Sequence, residues 1–236
     1  MEFPLRRLGQ IVVHRQLRST RGFEYDRLTA AVIRRVLRGG GRAVDVGAHD
    51  GALLRWMVRT APRDAHIAVE PLPGHAAALR RRFPRVQVFE GALSDREGTA
   101  TFSYVPSRPA VSSLSTRTGI GADEIETLEV QLTTLDRLVG EEPVRLVKID
   151  VEGAEHAVLL GGSDTIRRDR PVIAFEHGPG AHGGVTVADM HRLLTGELGL
   201  RVSLLDDWLA GRPSLSEQAM VESQERDKHF FFLAHP

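Results

Sequence analysis

The segment Asp45-Val46-Gly47-Ala48-His49-Asp50-Gly51 follows a short apolar run and brings a carboxylate, a histidine and two glycines into one turn. A strand that delivers an acid and then turns through glycine into a helix brings backbone close to a ligand. Gly47 allows that approach, and Gly51 opens a helix whose first amides are unpaired. His49 stands where the second glycine of G-x-G-x-x-G would be, so the turn suits a ligand without a pyrophosphate better than a dinucleotide. Ala48 and His49 share the turn and are expected to touch the ligand. Glu70 closes the next apolar run, Ile67-Ala68-Val69-Glu70, and Pro71 ends it. A carboxylate about 20 or more residues after the turn, at the end of a second strand, can accept hydrogen bonds from both hydroxyls of a ribose.

A third cluster reads Lys148-Ile149-Asp150-Val151-Glu152-Gly153-Ala154-Glu155. Asp150 is expected to point into the cleft as a ligand contact and as a base for proton removal. Glu152 reads as a substrate contact or metal ligand, and Glu155 as a first-turn helix charge. Glu176-His177 ends another apolar run and is followed by glycine, which places the histidine at the cleft rim. Base candidates are therefore Asp150, His177 and His49, with His182 in the glycine-rich loop behind them, and Glu176 faces substrate. Asp150, Glu152, Glu176 and His177 also offer hard oxygen and imidazole donors for a divalent metal, without fixing a ligand set.

These residues sit at the ends of short β-rich runs that alternate with helices. Runs at 43–46, 67–70, 86–89, 146–150, 172–176, 202–205 and 229–233 read as strands, with helices near 25–37, 52–60, 76–83, 155–160 and 187–198 between them. This predicts an α/β fold: a mostly parallel, seven-stranded sheet with helices on both faces, whose ligands bind at the C-terminal strand ends. Two further runs, 99–104 and 128–132, interrupt the rhythm. The polar stretch at about 105–127 between them reads as a lid or as disorder, with Ser112 and Ser113 placed to meet substrate hydroxyls. Residues 1–40 read as an N-terminal helical extension and 41–236 as the main domain. Leu5, Leu8, Ile11 and Val12 recur at helical spacing among arginines, as in a helix that packs on the domain or on a second copy in a homodimer.

Composition narrows the chemistry. The chain has 236 residues, 31 basic and 31 acidic, and no cysteine. A neutral balance argues against gripping nucleic acid through global charge. The missing cysteine removes disulfides, thiolate metal sites and thiol nucleophiles. No apolar run reaches the roughly 18 residues of a membrane span, and the N-terminus lacks a signal-like apolar stretch, so a cytoplasmic location is expected. All basic residues but Lys148 and Lys228 are arginine, a codon-drift pattern that leaves Lys148 as a place where a compact ammonium is wanted.

Taken in order, VDVGAHDG, AVEP, the tripeptide Thr134-Leu135-Asp136, LVKIDVEGAE and PVIAFE resemble the FkbM family of S-adenosylmethionine-dependent methyltransferases, from about Val44 to Glu176. The resemblance implies a class I Rossmann-like methyltransferase fold. It implies S-adenosyl-L-methionine as cofactor, with Asp45, Gly47 and their neighbours receiving its methionine part and Glu70 its ribose. Ala92 and Leu93, after the third strand, would border the adenine. The family motif usually has Asn where this chain has His49, so that wall of the pocket is expected to be built differently. The expected activity is O-methylation of a hydroxyl on a small molecule, a sugar or glycosylated natural product. Carboxyl or N-methylation, and a NAD-type oxidoreductase on a similar sheet, are the competing readings.

Overall fold

The computed structural model describes residues 22–104, 126–178, 184–225 and 229–236. The expected helix around Leu5 to Val12, Ser112 and Ser113, His182, and the interval 105–125 of the expected lid lie outside the described residues. Helix α1 spans 22–36 and stops before Gly40 and Gly41, both at positive φ. Strand β1 (Arg42–Val46) follows, then α2 (Leu54–Thr60), β2 (Ile67–Glu70), α3 (Pro73–Arg82), β3 (Gln87–Glu90) and the two-residue β4 (Ala92–Leu93). Strands β5 (Gly98–Tyr104) and β6 (Glu126–Thr133) come next, then α4 (Leu135–Val139), β7 (Val144–Ile149), α5 (Glu155–Leu160), α6 (Ser163–Asp169) and β8 (Val172–Glu176). The chain continues through α7 (Val187–Arg192), β9 (Arg201–Ser203), α8 (Leu205–Ala210), α9 (Glu217–Glu225) and β10 (Phe231–His235).

Seven strands form one sheet in the order β3-β2-β1-β7-β8-β10-β9. The neighbours from β3 through β8 are parallel, and β10 runs antiparallel to both β8 and β9. Burial on both faces explains the continuous apolar runs. Val44, Val46, Val147, Ile149, Ile173 and Phe175 pack towards α4–α7 and α9. Their alternating neighbours Ala43, Ala68, Leu146 and Ala174 pack towards α1, α2, α3 and α8. Helix α1 is part of this core: Val32, Ile33 and Leu37 are fully buried, and Tyr25 meets the rings of Phe230 and Phe231 at 4.8 and 5.6 Å. The two interrupting runs become β5 and β6, an antiparallel pair that joins β4 in a second, three-stranded sheet.

Several boundaries differ from the reading of the sequence, two of them with a visible cause. The last strand begins at Phe231 rather than His229, because the carbonyl of Phe230 accepts from His177 N–H at 2.7 Å and its ring packs edge-on against Tyr25. The single helix expected over 187–198 is α7 followed by a π-helical turn, Leu193–Glu197, where the Thr195 hydroxyl donates back to His191 O at 2.9 Å. Among the described residues no helix is long and apolar enough to cross a membrane.

Candidate functional site

Where β1, β2, β4 and β7 end, a cavity of about 300 Å³ opens, with Asp26 of α1 on its outer lip and Phe102 of β5 opposite. The glycine turn forms its floor. Gly47 has φ 77°, and its N–H and that of Ala48 both donate to Val69 O at 3.0 Å, tying the turn to β2. A Cβ on Gly47 would overlap the carbonyl oxygen of Asp150, so β1 and β7 approach here too closely for any side chain. Gly51, at φ 78°, is held against Leu79 and Phe83 of α3 in the same way.

His49 is one of three described non-glycine residues at positive φ, at 49°. Asn, Asp and His enter the left-handed region more readily than other residues, which is how His49 fills this place. Its ring packs edge-on against His75 of α3, with centroids 4.5 Å apart, and this contact backs His49 where it lines the cavity. His49→Asn is expected to keep stability, whereas a β-branched His49→Val should cost about 1–2 kcal/mol in left-handed strain. Urea unfolding checks this, and equal stabilities for the two variants would overturn it.

Glu70 ends β2 with its carboxylate almost fully buried. One oxygen accepts from His49 N at 2.8 Å and the other from Leu72 N at 3.0 Å. A carboxylate has about four acceptor positions, so both oxygens keep capacity facing the cavity. Pro71, Gly91, Ala92 and Leu93 continue the wall beyond it.

Lys148 lies at the centre of the polar floor and is 4% exposed. Its ammonium donates to Gly47 O at 2.8 Å and Val46 O at 3.4 Å, and lies 3.4 Å from Asp45 Oδ1 and 3.7 Å from Asp150 Oδ2. Burial works against its charge, but the carboxylates of Asp45, Asp150 and Glu176 hold its pKa above the usual lysine value. Asp45, its partner in strand register, is 1% exposed, and while its Oδ1 faces the Lys148 ammonium at 3.4 Å, its Oδ2 receives no hydrogen bond. Burial raises the Asp45 pKa while Lys148 pulls it down. A buried acceptor without a donor, Asp45 Oδ2, beside a glycine cradle fits a ligand that brings its own N–H group.

The loop after β7 is organised by Glu155, whose Oε1 accepts from Val151 N and Gly153 N, each at 3.1 Å. This clamp holds Glu152 at φ 56° and presents Asp150 to the cavity. One carboxylate oxygen from each of Asp150, Glu152 and Glu176 lies within 4.8 Å of the others, an arrangement with room for a divalent cation. The Glu176 pKa is pushed well above the carboxylate range, first by burial and then by the charge and hydrogen bond of Asp150. His177 does not reach this group. It is 3% exposed, on the other side of the strand's alternation and beside His156 of α5, and burial lowers its pKa to about 4. The rim position expected for the histidine is taken by Glu176.

Sequence reasoning missed Asp26 and Phe102, which reach the cavity through tertiary packing alone. The Thr-Leu-Asp tripeptide works in the scaffold: Thr134 caps α4 by accepting from Arg137 N at 3.1 Å. Asp136 caps α6 by accepting from Asp164 N and Thr165 N at 3.2 and 2.7 Å.

Residues 45–202 match the family described as Methyltransferase FkbM domain. The AMB antimetabolite synthetase AmbE of Pseudomonas aeruginosa is 29% identical over 210 residues, covering 70% of this chain and 10% of that protein. The 2-O-methyltransferase NoeI of Sinorhizobium fredii is 29% identical over 148 residues, covering 54% of this chain and 59% of its own. The chain thus spans a tenth of the first relative and about three fifths of the second. A solved structure, methyltransferase FkbM from Methylobacillus flagellatus KT, shares the fold with a TM-score of 0.51 at 15% identity, covering 84% of this chain and 44% of that one.

Proposed function

Because the chain belongs to the FkbM methyltransferase family, we propose that its cavity binds S-adenosyl-L-methionine and that the protein methylates a hydroxyl of a small molecule, a sugar or glycosylated natural product. The observation that carries this reading is the cavity lining. Among the described residues, Asp26, Asp45, Asp50, Glu70, Asp150 and Glu152 line the cavity with one lysine around a glycine turn. Such a surface suits a ligand bearing a sulfonium and an ammonium. It disfavours a dinucleotide, whose two phosphates would meet those carboxylates. The relative NoeI, a 2-O-methyltransferase, supports oxygen as the acceptor atom.

In this reading Asp45 and the Gly47–His49 turn receive the methionine part, Glu70 the ribose hydroxyls, and Ala92 and Leu93 the adenine. Bound there, the sulfonium supplies a methyl group whose bonding electrons stay with sulfur. The chain's own work is to align the acceptor oxygen, exclude water and take up the acceptor proton. Asp150 stands at the inner rim to take that proton, and Glu176, hydrogen-bonded to it, shares it. Glu152 and Glu176 orient the acceptor's other hydroxyls.

Titration calorimetry with S-adenosylhomocysteine tests the reading. The protein should bind it, and Glu70→Ala should weaken binding by about a hundredfold, the scale of two charge-assisted hydrogen bonds. No binding by the unaltered protein overturns the cofactor reading. Unchanged affinity in the variant overturns the ribose role of Glu70.

A further inference from the structure

Methyl transfer from a sulfonium removes a positive charge from the cofactor: the S–CH3 bond breaks, sulfur keeps the pair, the O–CH3 bond forms, and the acceptor proton passes to a base. A site lined only with carboxylates would hold the charged reactant more tightly than its neutral product and so oppose the reaction. Among the described cavity-lining residues Lys148 is the one permanent cation. It is placed where it can act: behind the glycine turn, bonded to Gly47 O at 2.8 Å, and between Asp45 and Asp150 at 3.4 and 3.7 Å. Three of its four polar neighbours belong to the β1 end and its turn, and the fourth to the proton-accepting rim. All but two of the chain's 31 basic residues are arginine. A planar guanidinium could not converge on four acceptors grouped around one point.

We propose that Lys148 is a positioning residue that sets the charge of the cofactor site, offsetting Asp45 and Asp150 so that the sulfonium is not held more tightly than the thioether left after transfer. The proposal rests on the cofactor reading above. It separates Lys148 from a purely structural strut, because a strut supports both forms of the ligand equally.

The test compares dissociation constants for S-adenosylmethionine and S-adenosylhomocysteine by calorimetry. Lys148→Met should shift their ratio towards S-adenosylmethionine by about tenfold or more, the effect of one unit charge within about 12 Å at an effective dielectric of about 20. Asp45→Asn, which removes charge of the opposite sign, should shift the ratio the other way, and it carries the test if Lys148→Met fails to fold. Lys148→Arg should weaken both ligands and leave the ratio unchanged. Unaltered protein that binds neither compound overturns the cofactor reading itself. Binding by the unaltered protein, with both ligands weakened by the same factor in Lys148→Met and in Asp45→Asn, overturns the charge role alone.

Discussion

Gly47→Ala is expected to abolish binding of S-adenosylhomocysteine and methyl transfer while every ionisable group of the site stays in place. The added methyl would overlap the backbone carbonyl of Asp150, and φ 77° at this position already excludes ordinary L-residues. Neither neighbour can yield. Asp150 N donates to Val46 O at 3.1 Å and Gly47 N to Val69 O at 3.0 Å, so the clash lies between two paired strand ends. Left-handed strain of about 1–2 kcal/mol plus a backbone overlap of similar size gives a loss of about 2–4 kcal/mol, roughly thirty- to several hundredfold in affinity. Gly74→Ala is the contrast. That glycine lies in α3 with open space around its Cβ position, and alanine there should stabilise the protein by about 0.5–1 kcal/mol. Calorimetry and urea unfolding on the pair check both statements, and near-normal cofactor affinity in Gly47→Ala would sink the first.

Acidification is expected to produce the second large effect, through a buried histidine that must stay neutral. Burial, with some contribution from His156, lowers the His177 pKa to about 4. Between that value and the unfolded value near 6.5 the unfolded chain binds the proton and the folded chain does not, so stability is lost as pH falls through this window. The cost for His177 alone is on the order of 3 kcal/mol by pH 4. His66 and His235 are lowered in the same direction, mainly by burial. In His66, Nδ1 accepts from Ala43 N at 3.1 Å and Nε2 pairs with Ala61 O at 2.8 Å, and protonation would remove that acceptor. The raised carboxylates of Asp45, Glu155 and Glu176 act in the opposite sense, so the comparison must isolate the histidine. His177→Gln should be the less stable protein at pH 7.5 and should close most of that gap, about 3 kcal/mol, by pH 4 in urea unfolding series. A gap that does not change with pH would show that His177 is hydrated or paired.

The cavity was legible because its residues sit at strand ends, where an apolar run stops on an acid or turns on a glycine. Asp45, Gly47, Glu70 and Asp150 carry that signal and line one cavity. Strand parity was the signal left unused at Glu176 and His177. Ala174, one pleat before Glu176, faces the same core as α1 and α2, so 176 belongs to the cavity side and 177 to the other. Helices α4, α6 and α8 are five to seven residues long, too short for a helical period to stand out. Their ends are set by contacts distant in sequence, such as Asp136 capping α6. Asp26 could not be read at all, because nothing local to α1 tells which side of the sheet it will cover.

Strand β10 follows β9 in the chain but lies between β8 and β9, pairing with both. Strand β9 therefore has no sheet neighbour until β10 enters the gap. Pairing Ile173 with Ala234 closes a loop of roughly sixty residues, an entropic cost met before that contact returns anything. The β2-β1-β7 part, in which Val44 pairs with Val147 about a hundred residues further on, carries the glycine turn and Glu70. Glu176 pairs with Phe231 of β10. The glycine turn, packed on Asp150 just beyond β7, and Glu176, paired with β10, thus both wait on contacts distant in sequence, and a chain halted before either pairing would hold an unfinished cavity.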